Sequence, residues 1–341
     1  MKPSELKTMV AAMYAAKIPL FIEGSPGVGK SKVVAAAAAE LGLQVIDLRV
    51  ALLDPVDLRG LPMVDKDKGV TRWCPPMFLP LKGMTKGPGI IFADELDKGT
   101  TAVQSAMLQG IYDHRFGEAE LCPSWSWVAA GNRTKDKAGA HKIITPLANR
   151  VCRVSLEADY DEWMRWAETA GISMMVRSYL KYKPHHLSTF DPSKDQTSFA
   201  SPRSWERMSM TLNANLPSSL IVHAASGLVG DEVGMEFSAF AEVWEKLPDI
   251  DAIIRRPADA PIPSRYDTSV HWALAGALAT RCKSKNKEVV QAVTTYLMRM
   301  DPEYAVFGVR EVLAAGAGTI NVSTTPGYSA WMAKHKHLFE I

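Results

Sequence analysis

Cysteine is scarce in this chain, and what there is lies scattered. The 341 residues hold four, Cys74, Cys122, Cys152 and Cys282, with no Cys-x-x-Cys spacing. That argues against a disulfide framework and a thiolate zinc site, and it fits reduced thiols in a cytoplasmic protein. Net charge is equally sparse. Lys and Arg number 39 against 37 Asp and Glu, a formal charge of +2, so no global field advertises nucleic acid or an acidic partner. No apolar run approaches the ~18 residues of a membrane span. The amino-terminal residues lack a signal-peptide profile, because Leu6, Met9, Val10 and Met13 fall at helical spacing. Internal repeats and low-complexity tracts are missing too. These absences lead us to expect a soluble cytoplasmic protein of about two domains with no membrane partner. A hydrophobic content of 47% is ample for a packed core.

What is present is concentrated in one stretch. Residues 24 to 31 read Gly24-Ser25-Pro26-Gly27-Val28-Gly29-Lys30-Ser31. An apolar run, Ile18 to Ile22, precedes them, and an Ala-rich helical stretch, Lys32 to Leu41, follows. A strand thus delivers the chain to a glycine-rich turn whose backbone N–H groups can point at phosphate oxygens, and the next helix adds the positive end of its dipole. Lys30 is expected to reach the β- and γ-phosphates, and Ser31 to hold Mg²⁺. A glycine-rich turn without a ligand is the alternative, and the strand before and helix after weigh against it.

A phosphate loop needs an acid from a neighbouring strand. Ile90-Ile91-Phe92-Ala93-Asp94-Glu95 supplies two at the end of an apolar run, where ligands of open α/β sheets bind. Asp94 is the expected support of the metal shell and Glu95 the general base on water. A third apolar run, Trp125 to Ala130, leads to Gly131-Asn132. The Asn132 amide would orient that water or touch the γ-phosphate, although an Asn leaving a strand is also ordinary turn chemistry.

Together these motifs resemble the AAA+ ATPases and, within them, the MoxR group with its helix-2 insert, from about residue 5 to about 245. Gly24 to Ser31 is similar to Walker A, Ile90 to Glu95 to Walker B and Asn132 to sensor 1. Ile144 to Val151 resembles the segment that carries the arginine finger, placing it at Arg150, and Ala200 to Trp205 resembles sensor 2, at Arg203. Asp54 to Pro62, with turn-rich Asp65 to Gly69 behind it, looks like the helix-2 insert (about 54–82). Tyr112 to Leu121 looks like the pre-sensor-1 hairpin. Two departures stand out. The group usually follows sensor 1 with Pro, and here Arg133 takes that place; the finger segment reads Ala-Asn-Arg-Val instead of Leu-Asp-Arg-Phe. Arg133 is therefore a rival to Arg150. Each also has a plainer reading, Arg150 as a cation at a helix carboxyl end and Arg203 as a helix-start arginine behind Pro202.

The resemblance implies an α/β fold, a P-loop AAA+ parallel sheet flanked by helices (1–157), then an α-helical lid (158–247); beyond it, prolines and helical stretches read as a linker and a helical C-terminal extension (248–341). Candidate strands are Leu20–Ile22, Gln44–Asp47, Gly89–Ala93, Trp127–Ala130 and Cys152–Ser155. Residues 158 to 245 read as almost wholly helical, and residues 248 to 267, with Pro248, Pro257, Pro261 and Pro263, as a loop or linker. ATP and Mg²⁺ are the implied ligands. An arginine acting across a subunit boundary implies a homo-oligomeric ring, by resemblance a hexamer, that remodels a protein client with a von Willebrand factor A domain partner. A nucleic-acid motor is an alternative, and the near-neutral charge and missing basic stripe weigh against it. The basic stretch Arg133, Lys135, Lys137, His141 and Lys142 could face a pore or a nucleic acid, but Asp136 and the turn residues favour a solvated loop. A nucleotide-gated scaffold with little turnover is a third reading. The tail Lys334 to His337 lacks an acid or cysteine to complete a metal site.

Overall fold

The computed structural model describes residues 1–136, 143–284, 286–315 and 322–339; Lys137, His141 and Lys142 of the basic stretch lie outside them. The chain divides into two compact units, Met1–Asp159 with Phe190–Asp195, and Tyr160–Thr189 with Gln196–Ile341.

The first unit is built on a parallel sheet. Its strands are β1 (Leu20–Glu23), β2 (Gln44–Arg49), β5 (Gly89–Asp94), β8 (Trp125–Gly131) and β9 (Cys152–Ser155), in the order β2-β5-β8-β1-β9. Each expected strand is present. β5 and β8 are buried at every position, as their unbroken apolar runs require of strands covered on both faces. Alternation then sorts the side chains. Phe21, Ile91, Trp127 and Ala129 pack on one face against Val103 and Met107 of α4 (Thr101–Tyr112). Leu20, Ile22, Ile90, Phe92 and Val128 pack on the other against Leu6 and Val10 of α1 (Pro3–Ala16) and Val34, Ala37 and Ala38 of α2 (Lys30–Glu40). The α/β fold read from the sequence, a parallel sheet flanked by helices and followed by a helical region, is the fold observed.

Two hairpins leave this sheet. After α3 (Pro55–Arg59), β3 (Leu61–Asp65) and β4 (Val70–Cys74) pair antiparallel. At the hairpin base Gly60 has φ 84°, and a Cβ there would lie 1.8 Å from the Cys74 carbonyl oxygen, so only glycine fits. Leu61, Met63, Val64, Val70 and Trp73 are all exposed. The second hairpin, β6 (Arg115–Phe116) and β7 (Ala119–Glu120), turns at Gly117 and anchors Phe116 in the core.

The second unit is helical. It contains α6 (Tyr160–Thr169), α7 (Met174–Tyr182), α8 (Pro202–Asn213), α9 (Ile221–Val229), α10 (Asp231–Glu245), α11 (Ile250–Arg255), α12 (Thr268–Arg281), α13 (Lys287–Leu297), α14 (Pro302–Ala314) and a last helix, Tyr328–His335. Tyr179, Trp205, Phe237 and Phe240 form an aromatic centre with ring centroids 5.1–5.5 Å apart around Tyr179. α12 packs against α7, α10 and α14. The structure departs from expectation in two places. Residues 183 to 201 hold only a 3₁₀ turn, Pro184–Leu187, where the sequence reads helical; Pro184 and Pro192 deny two backbone donors there. The expected loop 248–267 contains α11, started by Asp249, whose side chain accepts from the Asp251 N–H. No described helix is long and apolar enough to cross a membrane.

Candidate nucleotide site

The sheet order sets the carboxyl ends of β5, β8 and β1 side by side, with Glu23 in register with Gly131 and Ala93 with Ala129. The loop after β1 enters α2 through Gly27 (φ 79°) and Gly29 (φ 101°), left-handed conformations that glycine accepts without strain. Gly24 is tightly placed as well, since a Cβ would meet the Leu156 carbonyl oxygen at 2.9 Å.

Four candidate residues from three chain segments converge here. Ser31 donates its hydroxyl hydrogen to Asp94 Oδ2 at 2.8 Å. Lys30 Nζ donates to Asn132 Oδ1 at 3.1 Å and to the carbonyl oxygens of Gly24 (2.7 Å) and Ser25 (3.3 Å). The lysine is thus folded over the loop, bonded to groups a phosphate would replace. Asp94 is nearly buried, and its Oδ1 accepts the Glu95 backbone N–H at 3.0 Å. Glu95 has φ 58° and caps a 3₁₀ turn, Leu96–Lys98, whose Lys98 pairs with Glu95 Oε1 at 2.9 Å. A non-glycine residue at such a φ stores strain of about 1–2 kcal/mol, which the fold pays by fixing where the carboxylate points. Ser31 and Asp94 together form a hard-oxygen pair suited to magnesium.

The two arginine rivals differ in how they are held. Arg133 is mostly buried; it donates to Ser155 Oγ at 3.1 Å and the Leu156 carbonyl at 3.1 Å, and pairs with Glu157 at 3.3 Å. Arg150 is exposed just past α5 (Thr145–Ala148); its guanidinium stacks 4.4 Å from the Tyr112 ring centre and donates to the Pro146 carbonyl at 3.3 Å. Neither contact belongs to the Lys30 cluster. Arg203 is exposed in the first turn of α8, in the second unit, behind the Ser201 cap.

Three residues of the site escape sequence reasoning. Arg49, at the end of β2, donates to Asp94 Oδ2 at 2.8 Å and pairs with Asp47 at 2.9 Å. Asp97 is buried beneath the cluster. Burial pushes its carboxyl above the usual range, against the opposing pull of the Asn132 backbone N–H and the Lys30 and Lys98 charges. Lys98 holds Glu95. The acid-rich run Asp94 to Lys98 hinted at the last two; nothing local marks Arg49.

No protein-family model matches the chain. Among solved structures it is similar to a RuvB mutant of Thermotoga maritima, at 14% identity over 81% of this chain and 80% of that one, with a TM-score of 0.40. It is also similar to NtrX from Brucella abortus in complex with ADP, at 16% identity over 98% and 68%, TM-score 0.41. The ATP complex of NtrX matches at 14% identity over 99% and 67%, TM-score 0.40. At identities and TM-scores this low the likeness is distant.

Proposed function

We propose that the chain is a MoxR-type AAA+ ATPase that hydrolyses ATP at the boundaries of a homo-oligomeric ring. The observation that carries this reading is the meeting of Lys30, Ser31, Asp94 and Asn132 within hydrogen-bonding distance at three adjacent strand ends. The backbone from Gly24 to Ser31, including Ser25, Pro26 and Val28, would cradle the phosphates. Lys30 would exchange its carbonyl and Asn132 partners for phosphate oxygens. Ser31 and Asp94 would hold Mg²⁺, which supplies charge neutralisation on the β- and γ-phosphates. Glu95, released from Lys98, would take a proton from the attacking water while Asn132 orients it.

Arg150 is the better candidate for the trans-acting arginine. Exposed and only lightly engaged, it is free to reach a neighbour, whereas Arg133 is spent inside its own subunit. Such a finger is worth roughly 10³–10⁵ in rate. Arg203 would contribute from the helical lid as sensor 2. We further propose that the ring, by resemblance a hexamer, uses the exposed hairpin β3–β4 to move a protein client. The many exposed apolar residues on that hairpin favour a protein over a nucleic-acid track. A partner with a von Willebrand factor A domain and a cytoplasmic setting belong to the same reading.

The test couples mass to turnover. With Mg-ATP, light scattering should show wild type assembling while phosphate is released. Glu95→Gln should assemble and bind nucleotide but turn over about 10²–10⁴-fold more slowly, and Lys30→Ala should bind none. Hydrolysis by Glu95→Gln at the wild-type rate would remove Glu95 from the mechanism, and efficient hydrolysis by a monomer would end the ring model.

A further inference from the structure

One oxygen in the site is contested. Asp94 Oδ2 accepts both the Ser31 hydroxyl and the Arg49 guanidinium, each at 2.8 Å. A divalent ion shared by Ser31 and Asp94 draws on the same carboxylate, so the fixed charge of Arg49 competes with it. Register makes this contact: Arg49 and Asp94 are paired residues of the parallel strands β2 and β5. Arg49 also has somewhere else to go. Its second terminal nitrogen is 2.9 Å from Asp47 Oδ2, one pleat back on the same face of β2, and both side chains are about half exposed. The guanidinium thus spans two carboxylates, one in the site and one at its rim.

We propose that Arg49 is a positioning residue that holds Asp94 Oδ2 against a divalent cation and so sets the metal affinity of the nucleotide site, with Asp47 as its alternative seat. This rests on reading the site as one for a nucleoside triphosphate and magnesium. The device has a route outward. Arg49 is the last residue of β2, and buried Val50 follows it directly. Val50 packs so closely on Gly99 that a Cβ there would lie 2.7 Å from Val50 Cγ1. Gly99 ends the turn that carries Lys98, the partner of Glu95. A few residues further on the chain enters α3 and the β3–β4 hairpin. A shift of Arg49 from Asp94 to Asp47 therefore acts at the root of both the turn holding Glu95 and the exposed hairpin.

The test uses the full chain, a fluorescent ATP analogue and Mn²⁺ as the metal probe. Free Mn²⁺ is read by electron paramagnetic resonance, and nucleotide binding is measured with chelator and at rising metal. Arg49→Met should lower the Mn²⁺ midpoint about three- to tenfold, the range for a half-exposed charge-assisted hydrogen bond. Asp47→Asn should raise it, because Arg49 then has only Asp94 to hold. The double variant should behave like Arg49→Met, since Asp47 acts only through Arg49, and Arg49→Lys should fall between Met and wild type. Strictly additive effects would mean that both residues act by bulk charge, and an unchanged or raised midpoint in Arg49→Met would likewise overturn the inference. Failure of another kind is separable. If wild type and Lys30→Ala bind the analogue equally poorly with and without metal, the nucleotide-site reading itself falls.

Discussion

Gly131 shows how little room the site leaves around its buried acid. A Cβ at this position would lie 2.6 Å from Asp97 Oδ1 and 3.0 Å from the Phe21 ring. The side chain next door is Asn132, so any push on Asp97 is passed to the group we propose orients the water. Gly131→Ala should therefore destabilise the first unit by about 1–3 kcal/mol, the range for overpacking, and slow phosphate release more than it weakens nucleotide binding. Thermal melts beside single-turnover rates check both halves. At this scale the sequence was legible wherever function needs a fixed local spacing. The loop Gly24 to Ser31 and the pair Asp94-Glu95 are contiguous, so their chemistry can be read without a fold. Arg49 and Asp97 could not be read that way. Arg49 meets Asp94 because β2 and β5 pair in one register, and Asp97 is buried where β8 brings Gly131 close to it.

Among the elements, β5 and β8 were legible because strands buried on both faces write an unbroken apolar run. The edge strand β2 buries a single residue, Leu48, and its carboxyl end was read two residues short. Helix pairing was less visible, and one buried ion pair illustrates why. Arg177 of α7 and Glu311 of α14 meet in the interior of the second unit, with Glu168 and Arg310 3.6 Å apart beside them. More than a hundred residues separate the partners, and each alone reads as a solvated charge. Burial pushes the Glu311 carboxyl up from 4.5 and pulls Arg177 down, although each partner's charge opposes the other's shift. A carboxyl raised in the folded state favours folding most when protonated. Its contribution is full below the unfolded value of 4.5 and is lost as pH rises through the folded one. Arg177→Met removes the countercharge in direct contact with Glu311. At pH 8 it should cost about 3–5 kcal/mol, and less at pH 5.5, where Glu311 takes up a proton. Adding Glu311→Leu should recover most of the loss at pH 8. Urea melts at the two pH values decide it; equal losses at both would show that Glu311 is not the group left stranded.

For the whole molecule, the chain divides into two units that hold different candidate groups. The first holds every group of the Lys30 cluster, and the second holds Arg203 on a helix of its own. The aromatic centre around Tyr179 draws Trp205, Phe237 and Phe240 from α8 and α10, so no single stretch of sequence announces it. That α12 and α14 share the second unit could not be anticipated either, because the proline-rich stretch before them reads as a separation. Assembly is a property of this scale as well. On the proposed reading, Arg150 completes a site only if another copy receives it, and a single chain would then be catalytically unfinished.

The β3–β4 hairpin carries a practical consequence for this larger scale. A two-stranded ribbon whose apolar residues lie largely exposed has little to hold it against local opening, and Lys66, Lys68 and Arg72 lie exposed along it. Trypsin under limiting conditions should cut here early. The nick would leave two fragments held together by the sheet, because β2 precedes the hairpin and β5 follows it in adjacent positions. Whatever engages the ribbon would then shield it, so a cleavage pattern that fades in one fraction of cell extract, and persists for a hairpin-less variant's remaining sites, becomes a handle on the partner before its identity is known.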